Sequence, residues 1–106
     1  MARTDAHQNI YGEVSSPEDL REINHRIREE MDGATSHDQL TELKKRSDYL
    51  CTLAEAPSWE EKLGERIGRI REVAKEEDRK STAYANDVAR RHGWEADYHP
   101  WGTGGA

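Results

Sequence analysis

Residues 63–93 read LGERIGRIREVAKEEDRKSTAYANDVARRHG, and this stretch decides the fold. Positions that recur at alternating intervals of four and three lie on one face of an α-helix, and here they are apolar, aromatic or alanine except at Glu77 and Ser81. No glycine or proline occurs between Gly68 and Gly93. Because both residue types commonly interrupt helices, we predict one long helix, the third of the chain, that ends at Gly93.

The start and the middle of this third helix carry separate signals. Ser58 and Glu61 have the spacing of a capping box, which predicts that the helix begins there. At 1.5 Å per residue, about 35 residues would extend over roughly 50 Å. The wholly polar block at 76–82 allows an alternative, in which the chain breaks near 78–82 and Ser81 caps a fourth helix.

Two shorter helices precede the long one. Ser16, followed by a proline, predicts a first helix over 17–32, which Gly33 would end in a left-handed conformation. A second capping box predicts a helix over 36–55, which Pro57 ends. Since both are only half as long as the third helix, we expect an all-α fold with a hairpin of short helices packed on the N-terminal half of a long third helix. This arrangement is a three-helix bundle, or a four-helix bundle if the third helix breaks.

The chain has 106 residues, the size of a single domain. We predict an N-terminal arm over 1–15, a helical bundle over 16–93 and a C-terminal tail over 94–106 that is rich in aromatic residues and glycine.

The composition predicts a thin core, because 36% of the residues are charged, 33% are hydrophobic and none is phenylalanine. A small domain buries a modest fraction of its surface, so we expect a homo-oligomer in which subunits share apolar contacts. The predicted interface includes Tyr84 and Val88, on the half of the third helix that the short helices cannot reach. Gly64 and Gly68 lie beside the same stripe, where they would allow another backbone to approach closely.

Charge and cysteine content exclude several classes of protein. The net charge of −6 disfavours general binding to nucleic acids and anionic membranes, which require a positive surface. Cys51 is the single cysteine and excludes an intramolecular disulfide or a cysteine-rich zinc site. The first residues contain no apolar run typical of a signal peptide, and no stretch is apolar enough to span a membrane. We therefore expect a cytoplasmic protein that does not associate with membranes.

Aromatic residues outside the helical stripes indicate the leading function. Tyr11, Trp94, Tyr98 and Trp101 lie in the arm and the tail, and aromatic residues are enriched at binding hot spots. We expect a small acidic protein-binding module, a regulator, adaptor or inhibitor without catalytic activity, whose partners are itself and another protein with a basic surface. The alternative is that arm and tail fold back and cap the bundle, and an arm swapped between subunits would do both.

A dimeric DNA-binding regulator is a second hypothesis. Residues 70–93 have the length of a helix-turn-helix, with Arg90 and Arg91 on the recognition helix. The acidic residues at 76–78 would meet the phosphate backbone, which weakens this interpretation.

A third hypothesis is an oligomer that binds a small anionic ligand or nucleotide at a subunit interface. Arg26, Arg66 and Arg69 are the cations that would contact it, together with Tyr11.

No motif predicts an enzyme, a metal site or a cofactor. Glu22 and His25 have the spacing of a di-iron ligand pair, but they lie opposite the apolar stripe of the first helix. The second candidate set, His92, Asp97 and His99, has a simpler explanation in which His92 interacts with a helix C-terminus. Cys51 lies at a core position, where a thiol is usually unreactive.

Overall fold

A computed structural model describes residues 14–102, which form an all-α structure without strands in that range. The helices are α1 (Pro17–Asp32), α2 (His37–Ala54), α3 (Pro57–Leu63) and α4 (Ile67–His92), and a short 3-10 turn (Gly64–Arg66) joins α3 to α4. The predicted all-α class is confirmed. Tyr11 lies outside the described residues.

Serine caps position the starts of α1 and α2 as predicted. The Ser16 hydroxyl accepts a hydrogen bond from the Asp19 backbone N–H at 3.3 Å, and the Asp19 carboxylate accepts one from the Ser16 N–H at 3.2 Å. The Ser36 hydroxyl caps α2 in the same way, by accepting from the Gln39 N–H at 3.1 Å. The prediction for Gly33 was wrong, because its φ of −92° is not left-handed.

The third predicted helix is broken, although not where the alternative placed the break. α4 is continuous through 78–82, so the prediction of an unbroken helix there is confirmed. The break lies at Gly64, whose φ of +57° and ψ of −125° lie outside the helical region and are rarely adopted by L-residues. The predicted capping box at Ser58 was also wrong, because Ala56 occupies the N-cap of α3 without a side-chain hydrogen bond.

Three helices of this bundle pack against one another. α4 contacts both α1 and α2, and the latter two contact each other. The Arg71 Nε donates to the Ala54 carbonyl at 2.7 Å, and Ser47 contacts Asp78, so α2 and α4 run antiparallel. α1 runs parallel to α4, since Arg66 contacts Ser15 before α1 and Arg91 contacts Asp32 at its end, so α1 is antiparallel to α2. The result is an up-down-up bundle in which α1 and α4 are parallel.

The prediction that the C-terminal half of the long helix protrudes was wrong. Val88 is only 1% exposed and belongs to the core of its own chain, together with Ala85 and Ala89. The reason is that α4 begins only at Ile67, so α1 reaches both of its ends, with Ser15 beside Arg66 and Asp32 beside Arg91.

Buried polar residues interrupt the apolar core in the middle of each of these three helices. In α1 Asn24 lies between Ile23 and Ile27, and in α2 Lys44 and Ser47 lie between buried leucines. In α4 four consecutive inward positions are polar, and they separate two apolar groups: Glu77, Asp78, Ser81 and Thr82. No helix of residues 14–102 combines the length and apolar character that a membrane span requires.

Candidate functional site

The most unusual feature of the bundle is a buried polar layer, which we define as Asn24, Lys44, Ser47, Glu77, Asp78 and Ser81. Each of these residues is at most 3% exposed. Buried polar groups are costly unless they are hydrogen-bonded. Among the described residues, no buried side-chain nitrogen or oxygen lacks a hydrogen-bond partner, so the layer is fully satisfied.

Uncharged groups form the centre of the polar layer. Asn24 Oδ1 lies 3.1 Å from the hydroxyl oxygens of both Ser47 and Ser81, which come from the other two helices. The Ser47 Oγ also lies 2.6 Å from Asp78 Oδ1. The Ser47 hydroxyl has one proton to donate to two acceptors. The Asp78 carboxylate is the stronger of these because it is charged, whereas the Asn24 amide oxygen is neutral. This cluster joins α1, α2 and α4 at one level of the bundle.

Glu77 forms the α1 side of the layer. Its carboxylate accepts a hydrogen bond from Arg28 at 3.1 Å and from Lys80 at 3.2 Å. Arg28 also donates to the Ser81 hydroxyl at 3.1 Å. A buried carboxylate therefore has two cations beside it, both of which reach solvent.

Lys44 forms the α2 side and is shared by two carboxylates. Its Nζ lies 2.5 Å from Asp48 Oδ1 and 3.7 Å from Asp78 Oδ1. Burial, opposed by the hydrogen bond from Lys44 and reinforced by the nearby Asp78, raises the pKa of Asp48 to about 6. One lysine thus compensates two acids, and the least stable charge is that of Asp48.

Cys51 behaves as predicted for a core residue. It is 1% exposed, and its thiol donates to the Ala74 carbonyl at 3.3 Å. Burial, with an added contribution from Asp78, raises the pKa of this thiol to about 12. A thiol held in its neutral form is a poor nucleophile.

The candidate metal ligands are distributed over the surface. His25 is exposed and lies 3.5 Å from Glu29, as expected for a solvated helix face. His92 stacks on Trp94 with ring centroids 4.2 Å apart, and His99 lies 3.6 Å from Asp97. Within residues 14–102, no group of three histidine, cysteine or acidic side chains has the arrangement needed to hold a metal ion.

The C-terminal segment, residues 94–102, folds back along the bundle. It follows Gly93, whose φ of +75° ends α4 in a left-handed conformation. The Trp94 N–H donates to the Ala89 carbonyl at 2.9 Å, which completes the helix cap. The three aromatic residues of the segment, Trp94, Tyr98 and Trp101, are half-buried against the core.

Asn86 holds the backbone of this segment. Its side-chain oxygen accepts from the Tyr98 N–H at 2.8 Å, and its side-chain nitrogen donates to the Tyr98 carbonyl at 3.0 Å. A primary amide can form this pair with the backbone of one residue in an extended chain.

Side chains of both α2 and α4 contact the rest of the segment. The Tyr98 hydroxyl lies 2.8 Å from the Thr41 hydroxyl. At Trp101, the backbone N–H donates to Asp78 Oδ2 at 2.6 Å, and the indole N–H donates to the Thr52 hydroxyl at 3.2 Å. We call the surface formed by Thr41, Thr52, Asp78 and Asn86 the tail groove. Asp78 therefore belongs to both the polar layer and the tail groove.

The predicted oligomer-interface residues have different environments. Gly64 and Gly68 are exposed, and a Cβ added at either position would have no atom within 4 Å. The Tyr84 hydroxyl donates to Asp32 Oδ2 at 2.5 Å. Val88 is a core residue of its own chain, as described above, because α1 and α2 cover this part of α4.

The arginines of the ligand hypothesis each have a partner within the chain. Arg26 pairs with Glu22 at 3.7 Å and Arg69 with Glu72 at 3.3 Å. Arg66 donates to the carbonyl of Ser15 at 3.0 Å.

The arginines of the DNA hypothesis are also paired, and the turn that this hypothesis requires is absent. Arg90 lies 3.5 Å from Asp87, and Arg91 lies 3.2 Å from Asp87 and 3.5 Å from Asp32. Residues 70–92 form one unbroken helix, so the predicted helix-turn-helix geometry was wrong.

Compared with models of protein families, with curated proteins and with solved structures, the chain matches none of them.

Sequence reasoning missed the polar layer and the role of Asp78. Glu77 and Ser81 were recognised as polar positions on an otherwise apolar stripe, and this was the available signal. Their partners, Asn24 and Arg28, lie about 50 positions earlier in the chain, and no spacing rule connects such distant residues. The tail aromatics were recognised, but the groove residues that contact them carry no distinctive pattern.

Proposed function

We propose that this chain is a small protein-binding module without catalytic activity, and that its tail groove binds an extended segment rich in aromatic residues. The observation that carries this proposal is the pair of hydrogen bonds between the Asn86 amide and the backbone of Tyr98. Such a pair recognises a main chain rather than a particular side chain, as an added strand does at a sheet edge.

Side-chain contacts add selectivity to this backbone recognition. The Thr41 hydroxyl faces the Tyr98 hydroxyl, and the Thr52 hydroxyl faces the Trp101 indole N–H. Tyrosine and tryptophan provide large apolar surfaces with a polar group at the end, which is why they dominate binding hot spots. The groove therefore favours a segment with aromatic residues three positions apart.

Asp78 supplies the strongest contact of the tail groove. Its carboxylate is 1% exposed and accepts the Trp101 backbone N–H at 2.6 Å. Hydrogen bonds to a charged acceptor are stronger than those between neutral groups, and more so away from water. A proline in place of Trp101 would lack this donor, so the groove selects against proline at that position.

The charge of the whole chain supports a preference among protein partners. The net charge of −6 favours encounters with a partner that carries basic residues beside the bound segment.

The proposal is tested by emptying the groove of the full chain and offering the segment in trans. The double variant Tyr98→Pro/Trp101→Pro removes both aromatic anchors together with the backbone N–H groups that bind Asn86 and Asp78, and it leaves every groove residue in place. We expect it to bind a fluorescent synthetic peptide of residues 94–106 saturably and with one-to-one stoichiometry, measured by fluorescence anisotropy. The wild-type chain should bind the same peptide more weakly, because its own segment competes.

The matched control adds Asn86→Ala to the double variant, which removes the backbone contact without touching the core. We expect peptide binding to weaken at least tenfold, which corresponds to the loss of about 1.4 kcal/mol. Absence of saturable binding to the double variant, with its helical circular dichroism intact, would contradict the proposal.

A further inference from the structure

We propose that the segment captured by the tail groove is that of a second copy of this chain, so that two chains exchange residues 94–102 reciprocally. This inference rests on the proposed function and specifies its partner. Each copy would supply one groove and one segment, and in the exchanged form the groove of each copy would be filled by the other.

The contacts inside one chain define what the groove accepts. Its four polar partners, Thr41, Thr52, Asp78 and Asn86, contact two residues of the segment, Tyr98 and Trp101. A second copy carries the same two residues at the same spacing. Every one of these contacts can therefore form between chains with unchanged chemistry, which is the condition for exchange of an element.

The connection between bundle and segment is suited to such an exchange. The segment reverses direction at Gly93, the only residue between His92 at the end of α4 and Trp94. A change of φ at this residue from +75° to a helical value would direct the segment away from its own groove. Glycine adopts both conformations at low cost, so a single residue can act as the hinge.

The exchanged assembly would be closed. Because each copy gives and receives one segment, two copies related by a two-fold axis satisfy both grooves, and no unpaired groove remains to recruit a third copy. The expected product is a dimer with twice the 12.2 kDa mass of one chain.

In the unchanged chain, the chain's own segment competes with that of a second copy for the same groove, and the test must remove this competition. A short connection holds the segment near its own groove at an effective concentration in the millimolar range. Two complementary variants of the full chain remove this competition. The acceptor, Tyr98→Pro/Trp101→Pro, has an intact groove and a segment that lacks both aromatic anchors and both backbone N–H donors. The donor, Thr41→Ala/Asn86→Ala, has an intact segment and a weakened groove.

We expect each variant alone to be a monomer and an equimolar mixture to form a dimer, measured by size-exclusion chromatography with light scattering. At 0.15 M salt the Debye length is about 8 Å, so the negative charges of the two copies are largely screened. Excess tail peptide of residues 94–106 should return the mixture to monomers, because it occupies the acceptor groove.

Three results would overturn the inference. A mixture that stays monomeric while the acceptor binds the tail peptide refutes exchange and leaves the proposed function standing. An acceptor that is folded but binds no peptide refutes both. A dimer that excess peptide does not dissociate has another interface, which refutes exchange.

A hinge variant of the otherwise unchanged chain gives an independent measurement. Gly93→Ala strains the closed form, because an alanine at φ +75° costs about 1–2 kcal/mol, and a Cβ there meets no other atom. Because two closed chains are consumed for each dimer, this strain counts twice, and we expect the concentration at which half of the chains are dimeric to fall at least about thirtyfold. Gly68→Ala is the matched control, since this residue lies within α4 and should leave that concentration unchanged. An equal concentration for Gly93→Ala and wild type would count against the hinge.

Discussion

Asp48 shows how one residue in a charged cluster can cost stability. It shares Lys44 with the buried Asp78, so the cluster holds two negative charges and one positive charge when all three are ionised. Its pKa of about 6 lies above the 3.8 of an ordinary aspartate, chiefly because of burial. The folded state therefore binds a proton more readily than the unfolded state between about pH 4 and pH 6, and stability decreases as the pH rises through this window.

Replacement of this carboxylate should consequently stabilise the protein. We expect Asp48→Asn to raise the free energy of unfolding by about 1 kcal/mol at pH 7.5, a modest value because the side chain is partly exposed and screened. The difference from wild type should vanish near pH 4, where the wild-type carboxyl is protonated. Urea denaturation at both pH values measures the effect. Glu42→Gln on the exposed face of α2 is the control, and a stabilisation independent of pH would contradict the explanation.

Two neighbouring carboxylates explain why Lys44 can be buried. Its Nζ has two carboxylates within 4 Å, and its side chain is 4% exposed. A buried ammonium is tolerated only with such partners. In the Asp48→Asn variant, Lys44 therefore keeps Asp78 as its carboxylate partner.

At the scale of elements, the decisive event is the break between α3 and α4. Gly64 and Gly68 are four residues apart in the sequence, yet they have opposite conformations. Gly64 has a positive φ and ends α3, whereas Gly68 lies within α4. The positive φ at position 64 requires a glycine, whereas the helical conformation at position 68 suits other residues as well.

The two glycines should therefore respond oppositely to alanine. We expect Gly64→Ala to destabilise the protein by about 1–2 kcal/mol, because its backbone conformation is strained for an L-residue. Gly68→Ala should stabilise it by about 0.5–1 kcal/mol, because alanine loses less entropy in a helix and its Cβ would meet no other atom. Thermal unfolding followed by circular dichroism compares them. Equal effects of the same sign would contradict the break at Gly64.

At the scale of the whole molecule, the polar layer links the three long helices through hydrogen bonds rather than apolar contact. We expect a thin core to gain specificity from such a layer, because a helix shifted from the observed register would separate Asn24 from Ser47 and Ser81 and leave buried polar groups unpaired. The layer also brings Asp78 to the tail groove, so the packing of the bundle positions the proposed binding site.

Loss of the buried carboxylate at the centre of α4 tests the importance of this layer. We expect Glu77→Ala to destabilise the protein by about 3 kcal/mol, the lower end for a broken buried ion pair, because Arg28 still reaches water. Chemical denaturation measures the change. The neighbouring exposed residue provides the control, Glu76→Ala, which should alter stability by less than about 0.5 kcal/mol. Similar values for the two variants would show that the layer contributes little.

The sequence by itself determined the helices, because capping and periodicity are local properties. The start of α1 at Ser16, the start of α2 at Ser36 and the continuity of α4 to Gly93 all follow from residues within a few positions of one another. Only the tertiary structure decided which side chains meet. The pairing of Asn24 with Ser81 and of Asp78 with Trp101 depends on how helices pack, and a buried polar residue resembles an exposed one until its partners are known. The same is true of Gly64, since either helix or break was compatible with glycine.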